Sequence, residues 1–284
     1  MQFGLIVQMT GSLGFAQPLA RLAREAEAAG WDGFFIWDVF RGDAIAPTPV
    51  VEPWIAMAAI AAATERIRFG PMVTPLPRRR PWKLAREAAS LDHLSNGRLI
   101  LGVGIGEKPE EFSRFGDAAD PRVRARMLDE GLEVLTGLWS GEPFSHHGEH
   151  YHIDEALLLP RPVQQPRIPI WVGGTWPRKP AFRRAARWDG VFPGGLHGNL
   201  TLDELREMRG YIQAHRTTDE PFDVMAGGDV PFDDPARARA ILAEYAKAGV
   251  SWWVEGIGEW RGDVDAMAAF IQGGPPGADA ERAR

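Results

Sequence analysis

Short apolar runs rich in β-branched and aromatic residues alternate along the whole chain with longer segments of helical periodicity. The runs begin near residues 2, 33, 67, 98, 168, 190, 222 and 251. Leu99-Ile100-Leu101-Gly102-Val103 and Ile168-Pro169-Ile170-Trp171-Val172 are continuously apolar rather than alternating, the pattern of parallel strands covered on both faces. Helix boundaries between the runs are marked by their end residues. Pro18 opens and Gly30 closes the first helix, and Pro81 and Asn96-Gly97 bracket the third. Thr201 with Glu204 forms a capping box before the sixth, and Asp234-Pro235 opens a seventh that Gly249 ends.

Successive strand starts lie 31, 34, 31, 70, 22, 32 and 29 residues apart, so one βα unit repeats around the chain with a single long interval. Eight such units predict an α/β protein of the (β/α)8 TIM-barrel class. The long interval predicts an insertion at about 140–167, between the fourth helix and the fifth strand, with Phe144 to Ile153 as a hairpin turning at Gly148. A single domain is expected over 1–272, with 273–284, from Gly273-Gly274-Pro275-Pro276-Gly277 onward, as a disordered tail. The competing architecture, an open doubly wound sheet, needs a glycine-rich fingerprint after its first strand, and Thr10-Gly11-Ser12-Leu13-Gly14 does not match one.

The balance of 32 basic and 38 acidic residues, net charge -6, argues against nucleic acid or an anionic membrane as partner and favours a small molecule. With no cysteine, thiol nucleophiles, disulfides and thiolate metal sites are excluded, and a reducing cytoplasm is the expected setting. The first residues lack a basic n-region and do not read as a signal peptide, and the most apolar helix, Trp54 to Ala63, is too short to span a bilayer. Because that second helix is apolar nearly all round, a second subunit is expected to cover it, giving a homodimer.

Barrel chemistry sits at the C-terminal ends of the strands. Those ends read Trp37-Asp38, Val73-Thr74-Pro75, Gly104-Ile105-Gly106-Glu107, Gly173-Gly174-Thr175-Trp176 and Gly194-Gly195. Glycines there let a flat or phosphorylated ligand approach the backbone, or simply make tight βα turns. Trp37 and Trp176 are candidate walls for an apolar substrate, and Asp38 and Glu107 candidate acid/base groups. Asp38 also suits a helix cap or an ion pair with Arg41, and Arg78-Arg79-Arg80 suits either a solvated surface or contact with an anionic ligand tail. His146, His147, His150 and His152 invite a metal reading. A hairpin turning at Gly148 is expected to place His150 and His152 on one face and His147 on the other, and no metal site is expected.

Five motifs then carry a resemblance that covers residues 1 to 260: Gly30-Trp31-Asp32-Gly33-Phe34-Phe35-Ile36-Trp37-Asp38, Ala62-Ala63-Thr64-Glu65-Arg66-Ile67-Arg68-Phe69-Gly70, Leu91-Asp92-His93-Leu94-Ser95-Asn96-Gly97-Arg98, Leu101-Gly102-Val103-Gly104-Ile105-Gly106 and Ala185-Ala186-Arg187-Trp188-Asp189-Gly190. In order and spacing they resemble the bacterial luciferase-like flavin-dependent oxidoreductases. The resemblance implies a barrel that binds reduced flavin mononucleotide (FMN), or the deazaflavin coenzyme F420, over its mouth. It implies a ring-facing bulge at Val73 and Thr74, where the family often has a non-prolyl cis peptide. It also implies cofactor contacts at Gly104, Gly106 and Glu107, and phosphate and ribityl contacts at Gly173, Gly174 and Thr175. Relatives commonly carry Asp-His at the second strand end, where this chain has Asp38-Val39, so proton transfer at that position is not expected to follow the family. The leading expectation is a monooxygenase of a small organic molecule, using reduced FMN supplied by a separate flavin reductase because no nicotinamide fingerprint is visible. F420-dependent hydride transfer is the alternative, followed by a metal-dependent hydrolase and a barrel relative without turnover.

Overall fold

The computed structural model describes residues 1–40 and 48–276. In chain order the elements are β1 (Gln2–Val7), α1 (Ala16–Ala28), β2 (Gly33–Ile36), α2 (Pro53–Ala63), β3 (Arg68–Pro71), β4 (Thr74–Pro75), α3 (Pro81–Leu94), β5 (Leu101–Gly104), α4 (Glu110–Ser113) and α5 (Pro121–Leu138). They continue with β6 (Phe144–His147), β7 (His152–Ala156), β8 (Ile170–Thr175), α6 (Lys179–Ala185), β9 (Gly190–Gly194), α7 (Leu202–Gln213), β10 (Asp223–Gly227), α8 (Pro235–Lys247), β11 (Trp252–Ile257) and α9 (Val264–Gln272).

The main sheet runs β3-β2-β1-β11-β10-β9-β8-β5-β4 with every pairing parallel. β3 and β4 are two halves of one barrel strand, broken at a cis peptide between Met72 and Val73. Thr74 pairs with Val103 and Phe69 bridges to Leu99, so the third and fourth barrel strands meet and the sheet closes. The expected (β/α)8 barrel is what forms.

The barrel is filled rather than hollow. Phe35, Met72, Ile100, Trp171, Met225, Trp252 and Val254 form an interior cluster. The rings of Phe35, Trp171 and Trp252 meet pairwise at 5.5–5.8 Å between centroids. Such large rings fit because glycine faces them: a Cβ on Gly33 would lie 2.6 Å from Trp252, and one on Gly190 2.5 Å from Trp171. The larger outer core lies between the sheet and its helices, as layered packing requires.

Four of the five motifs, Gly30–Asp38, Ala62–Gly70, Leu91–Arg98 and Ala185–Gly190, contribute ties at the N-terminal end of the barrel. Buried Arg98 donates to the carbonyls of Ala61, Thr64, Ile67 and Ser95 and to the Thr64 hydroxyl, joining the ends of α2 and α3. The Glu27 carboxylate accepts from the backbone N–H groups of Glu65, Arg66 and Ile67. Burial alone would raise its pKa, and these donors hold it below the usual glutamate value. Asp32 takes the Phe3 N–H, Asp92 the backbone and side-chain amides of Gln164, and Asp189 the Ile170 N–H.

Details of the elements differ from expectation. α1 begins at Ala16, two residues before Pro18, which a first turn tolerates because its N–H groups lack helical partners. The hairpin forms antiparallel between α5 and β8, and its second strand runs on to Ala156. The chain is packed past residue 272: Gly274, Pro275 and Pro276 are buried, so this part of the expected tail belongs to the domain. The remainder of that tail, 277–284, lies outside the described residues. Among the described residues, no helix is long and apolar enough to cross a membrane.

Candidate active site

The C-terminal mouth of the barrel is organised around Val73. Its side chain packs against the interior cluster and lies across Gly104 and Gly173, where a Cβ would stand 2.8 and 2.9 Å from the valine methyls. These two glycines are therefore required by the bulge itself. Gly106 has φ +81° and its Cβ would meet the Phe112 ring at 2.5 Å, and a Cβ on Gly174 would meet Ala181 of α6 at 2.4 Å. Local packing accounts for all four glycines. Gly194 alone among the mouth glycines of these neighbouring strands has nothing within 4 Å of a Cβ position, and Thr175 beside it is half-buried.

Next to the bulge lies a buried charge cluster. Asp38 follows β2 with its side chain 1% exposed. One carboxylate oxygen accepts from Arg78 at 2.7 Å, and the other from Arg79 at 2.8 Å and the Thr74 hydroxyl at 2.8 Å. Arg78 also donates to Glu111, and Arg79 to Glu52, whose other oxygen caps α2 through the Trp54 and Ile55 N–H groups. Burial opposes the charge of Arg79, but Asp38 and Glu52 together hold its pKa above the ordinary value.

This arrangement bears on three expectations. Asp38 is engaged on both oxygens and positions two arginines; the partner suggested for it, Arg41, lies outside the described residues. Thr74 is fully buried and its hydroxyl is bonded to Asp38, so that hydroxyl is not left free for a cofactor. Arg78 and Arg79 are a buried pair rather than solvated surface, at 9% and 19% side-chain exposure. The signal lay in barrel order, because β2 and β3 are adjacent and the Asp38 and Arg78–Arg79 turns follow neighbouring strand ends.

Beside the cluster is a cavity of about 560 Å³, walled by Val39, Phe40, Val51 and Phe115 and floored by Asp38 and the two arginines. Phe40 and Phe115 meet edge to face at 4.7 Å, and Arg78 lies over the Phe40 ring. Trp37 is half-buried at the end of β2, on the inward side by alternation from Phe35. Trp176 is 2% exposed, packed on Phe182 and Tyr211 of the outer helices with the Lys179 ammonium 3.6 Å from its ring centroid. It is core, so the aromatic wall comes from Phe40 and Phe115 instead. Glu107 is exposed on the loop between β5 and α4.

Two buried ionisable groups escaped the sequence reading. Arg124 is 2% exposed and stacks on Phe112 at 4.1 Å, and its Nε and Nη1 have no hydrogen-bond partner among the described residues. Burial lowers its pKa. It occupies an inward position of α5 otherwise held by Leu128, Leu132 and Leu135, and that break in an apolar stripe was visible in the sequence. Glu255, on β11, is 5% exposed, and burial pushes its pKa up to about 7 against the opposing effect of the Trp253 indole N–H and Arg261.

The hairpin histidines divide differently from the expected faces. His147 and His152 are a cross-strand pair, both exposed, whereas His146 donates toward Glu130 and His150 is largely buried beside it. Directly paired residues of an antiparallel hairpin project to the same side, and alternation does not carry through the 148–151 turn.

The family description luciferase-like monooxygenase matches residues 1–278. F420-dependent glucose-6-phosphate dehydrogenase of Nakamurella multipartita is 33% identical over 234 residues, 78% of this chain and 66% of that protein. Relatives at 37% identity are likewise matched over 66% of their own length. Among solved structures, an F420-dependent secondary alcohol dehydrogenase in complex with an F420-acetone adduct superposes with TM-score 0.77 at 18% identity, covering 98% of this chain and 99% of that one. The oxygenating constituent of 3,6-diketocamphane monooxygenase from Pseudomonas putida, in complex with FMN, superposes with TM-score 0.62 at 22% identity, covering 95% and 83%.

Proposed function

Because this chain belongs to the luciferase-like monooxygenase family, we propose that it is an oxidoreductase that holds coenzyme F420 across the barrel mouth and acts on a small neutral organic substrate. The observation that carries this reading is the 33% identity to an F420-dependent dehydrogenase over 78% of the chain. The residues present fit a flat, anionic cofactor. Val73 would lie beneath a bound ring, and Gly194, with nothing within 4 Å of a Cβ position, would leave room for it beside Thr175. The two unpartnered nitrogens of Arg124, joined to the mouth through Phe112 and Gly106, suit an anionic tail. When bound, the deazaflavin supplies a two-electron hydride transfer.

The cavity beside Asp38 is the substrate site in this reading. Its arginines are matched by Asp38, Glu52 and Glu111, so no cation of that pair is left over for a phosphorylated substrate. Phe40 and Phe115 cover an apolar body, and Arg78 and Arg79 present N–H groups to a substrate oxygen. A homodimer through the exposed edge of α2, at Ile55 and Ala62, and a cytoplasmic setting for this cysteine-free chain complete the proposal.

A second reading keeps reduced FMN, oxygen and a separate reductase, and is favoured by the fold shared with the FMN-bound monooxygenase. Anaerobic titration with F420 and FMN, each oxidised and reduced, followed by absorbance and fluorescence, separates the two. Selective micromolar binding of F420 is expected. Selective binding of reduced FMN replaces hydride transfer with monooxygenation, and binding of neither overturns the redox reading.

A further inference from the structure

Four histidines lie within seven residues of the β6–β7 hairpin, and they serve two different ends. His146 and His150 face α5, where Glu130 accepts from His146 and from the backbone N–H groups of His150 and Tyr151. That carboxylate is held below the usual glutamate pKa: burial would raise it, and these donors lower it further than burial lifts it. The anchoring leaves His147 and His152 directly opposite each other on the outer side, with Asp154 two residues further along β7. Both imidazoles are more than half exposed and pack against no core cluster, so neither is there to fill space.

We propose that His147, His152 and Asp154 bind a divalent transition-metal ion on the outer face of the hairpin. Ring nitrogens of the two histidines approach to 3.1 Å. The Asp154 carboxylate oxygens lie 3.5 Å from His152 Nε2 and 3.7 Å from His147 Nε2. One ligand atom from each residue falls within 4.8 Å of the others. A tetrahedral ion with bonds of about 2.0–2.1 Å has ligand–ligand edges of about 3.3 Å. The 3.1 Å approach uses His147 Nδ1 and the 3.7 Å approach its Nε2, so rotation of these exposed side chains is needed to bring one nitrogen of each histidine and one Asp154 oxygen from within 4.8 Å onto one face of such a site. Two imidazoles and one carboxylate select zinc, nickel or copper over magnesium or calcium, which prefer oxygen sets. The fourth position points to solvent and is left to water.

The backbone holds the arrangement before any ion arrives. The ladder fixes His147 opposite His152, strand alternation puts Asp154 on the same side as His152, and Glu130 ties the turn to α5. Among the described residues, the side-chain hydrogen bonds, ion pairs and ring contacts of His147, His152 and Asp154 are with one another and not with residues of the mouth, and binding is expected to be independent of any cofactor.

The test is calorimetric titration of the tag-free, chelator-stripped full chain with zinc chloride, with magnesium chloride as control. One zinc per chain at micromolar Kd and no magnesium binding are expected. His147→Ala and His152→Ala are each expected to weaken zinc binding at least tenfold, and Asp154→Asn several-fold, with His93→Ala unchanged. All three ligands are exposed, so the variants are expected to keep the native circular dichroism spectrum. Absence of zinc binding to the native chain, or binding at unchanged Kd in the His147→Ala/His152→Ala double variant, overturns the site.

Discussion

Asp38 shows how little a residue's type says about its role until its neighbours are known. The same carboxylate at the end of β2 suits a proton donor, a cap or an ion pair, and the choice was made by Arg78, Arg79 and Thr74 arriving from the next strand. Removing its charge leaves two largely buried guanidiniums without their shared partner, which costs about 3 kcal/mol. Asp38→Asn is therefore expected to lower the urea midpoint markedly; a variant of native stability with greatly reduced turnover would instead make Asp38 the acid or base itself. Glu255 offers a second check. Its folded pKa of about 7 stands above the ordinary 4.5, so the folded state is favoured while the carboxyl stays protonated, and that contribution fades as pH rises from 4.5 through 7. Glu255→Gln cannot ionise and escapes the loss. Its thermal midpoint is expected to gain on the native chain across that interval, by an amount equivalent to at most about 3 kcal/mol.

At the scale of elements, the most recognisable stretches of sequence proved to be largely structural ties. Arg98 is placed by α3 and its turn so that one guanidinium satisfies the carbonyls left unpaired at the end of α2, and Glu27 does the converse for three N–H groups. These ties bind consecutive βα units and were legible because they need particular residue types at fixed spacings. Arg98→Met keeps the stem but leaves those buried carbonyls unpaired, and is expected to destabilise the protein by about 3 kcal/mol in denaturant unfolding without changing cofactor affinity. The hairpin was legible as an element from Gly148 and its flanking alternation. Which histidines share a face was not, because that depends on the residues held within the turn and on Glu130 reaching in from another helix.

For the whole molecule, closure of the barrel decides what the strand ends can do. It brings Val73, Gly104 and Gly173 from three strands into one contact and puts Trp176 outside the mouth, against α6 and α7. Most of α2, which is apolar nearly all round, is covered by its own neighbours, while Ile55 remains 63% exposed. If a second copy covers that edge, Ile55→Glu is expected to give a folded monomer by light scattering at micromolar concentration where the native chain is a dimer; a native chain that is itself monomeric removes the dimer.

The sequence by itself determined the number and order of the βα units, most of the caps and the closed parallel sheet, because periodicity, capping chemistry and turn glycines act over a few residues. It also carried the family, whose signature residues tie separate βα units together. Only the tertiary structure decided which polar groups meet: that Asp38 binds Arg78 and Arg79, that Arg124 is buried with nitrogens unpartnered, that Trp176 is core, and that His147 faces His152. Those contacts join residues from different strands and helices, and they depend on angles and distances across the closed barrel that no spacing along the chain encodes.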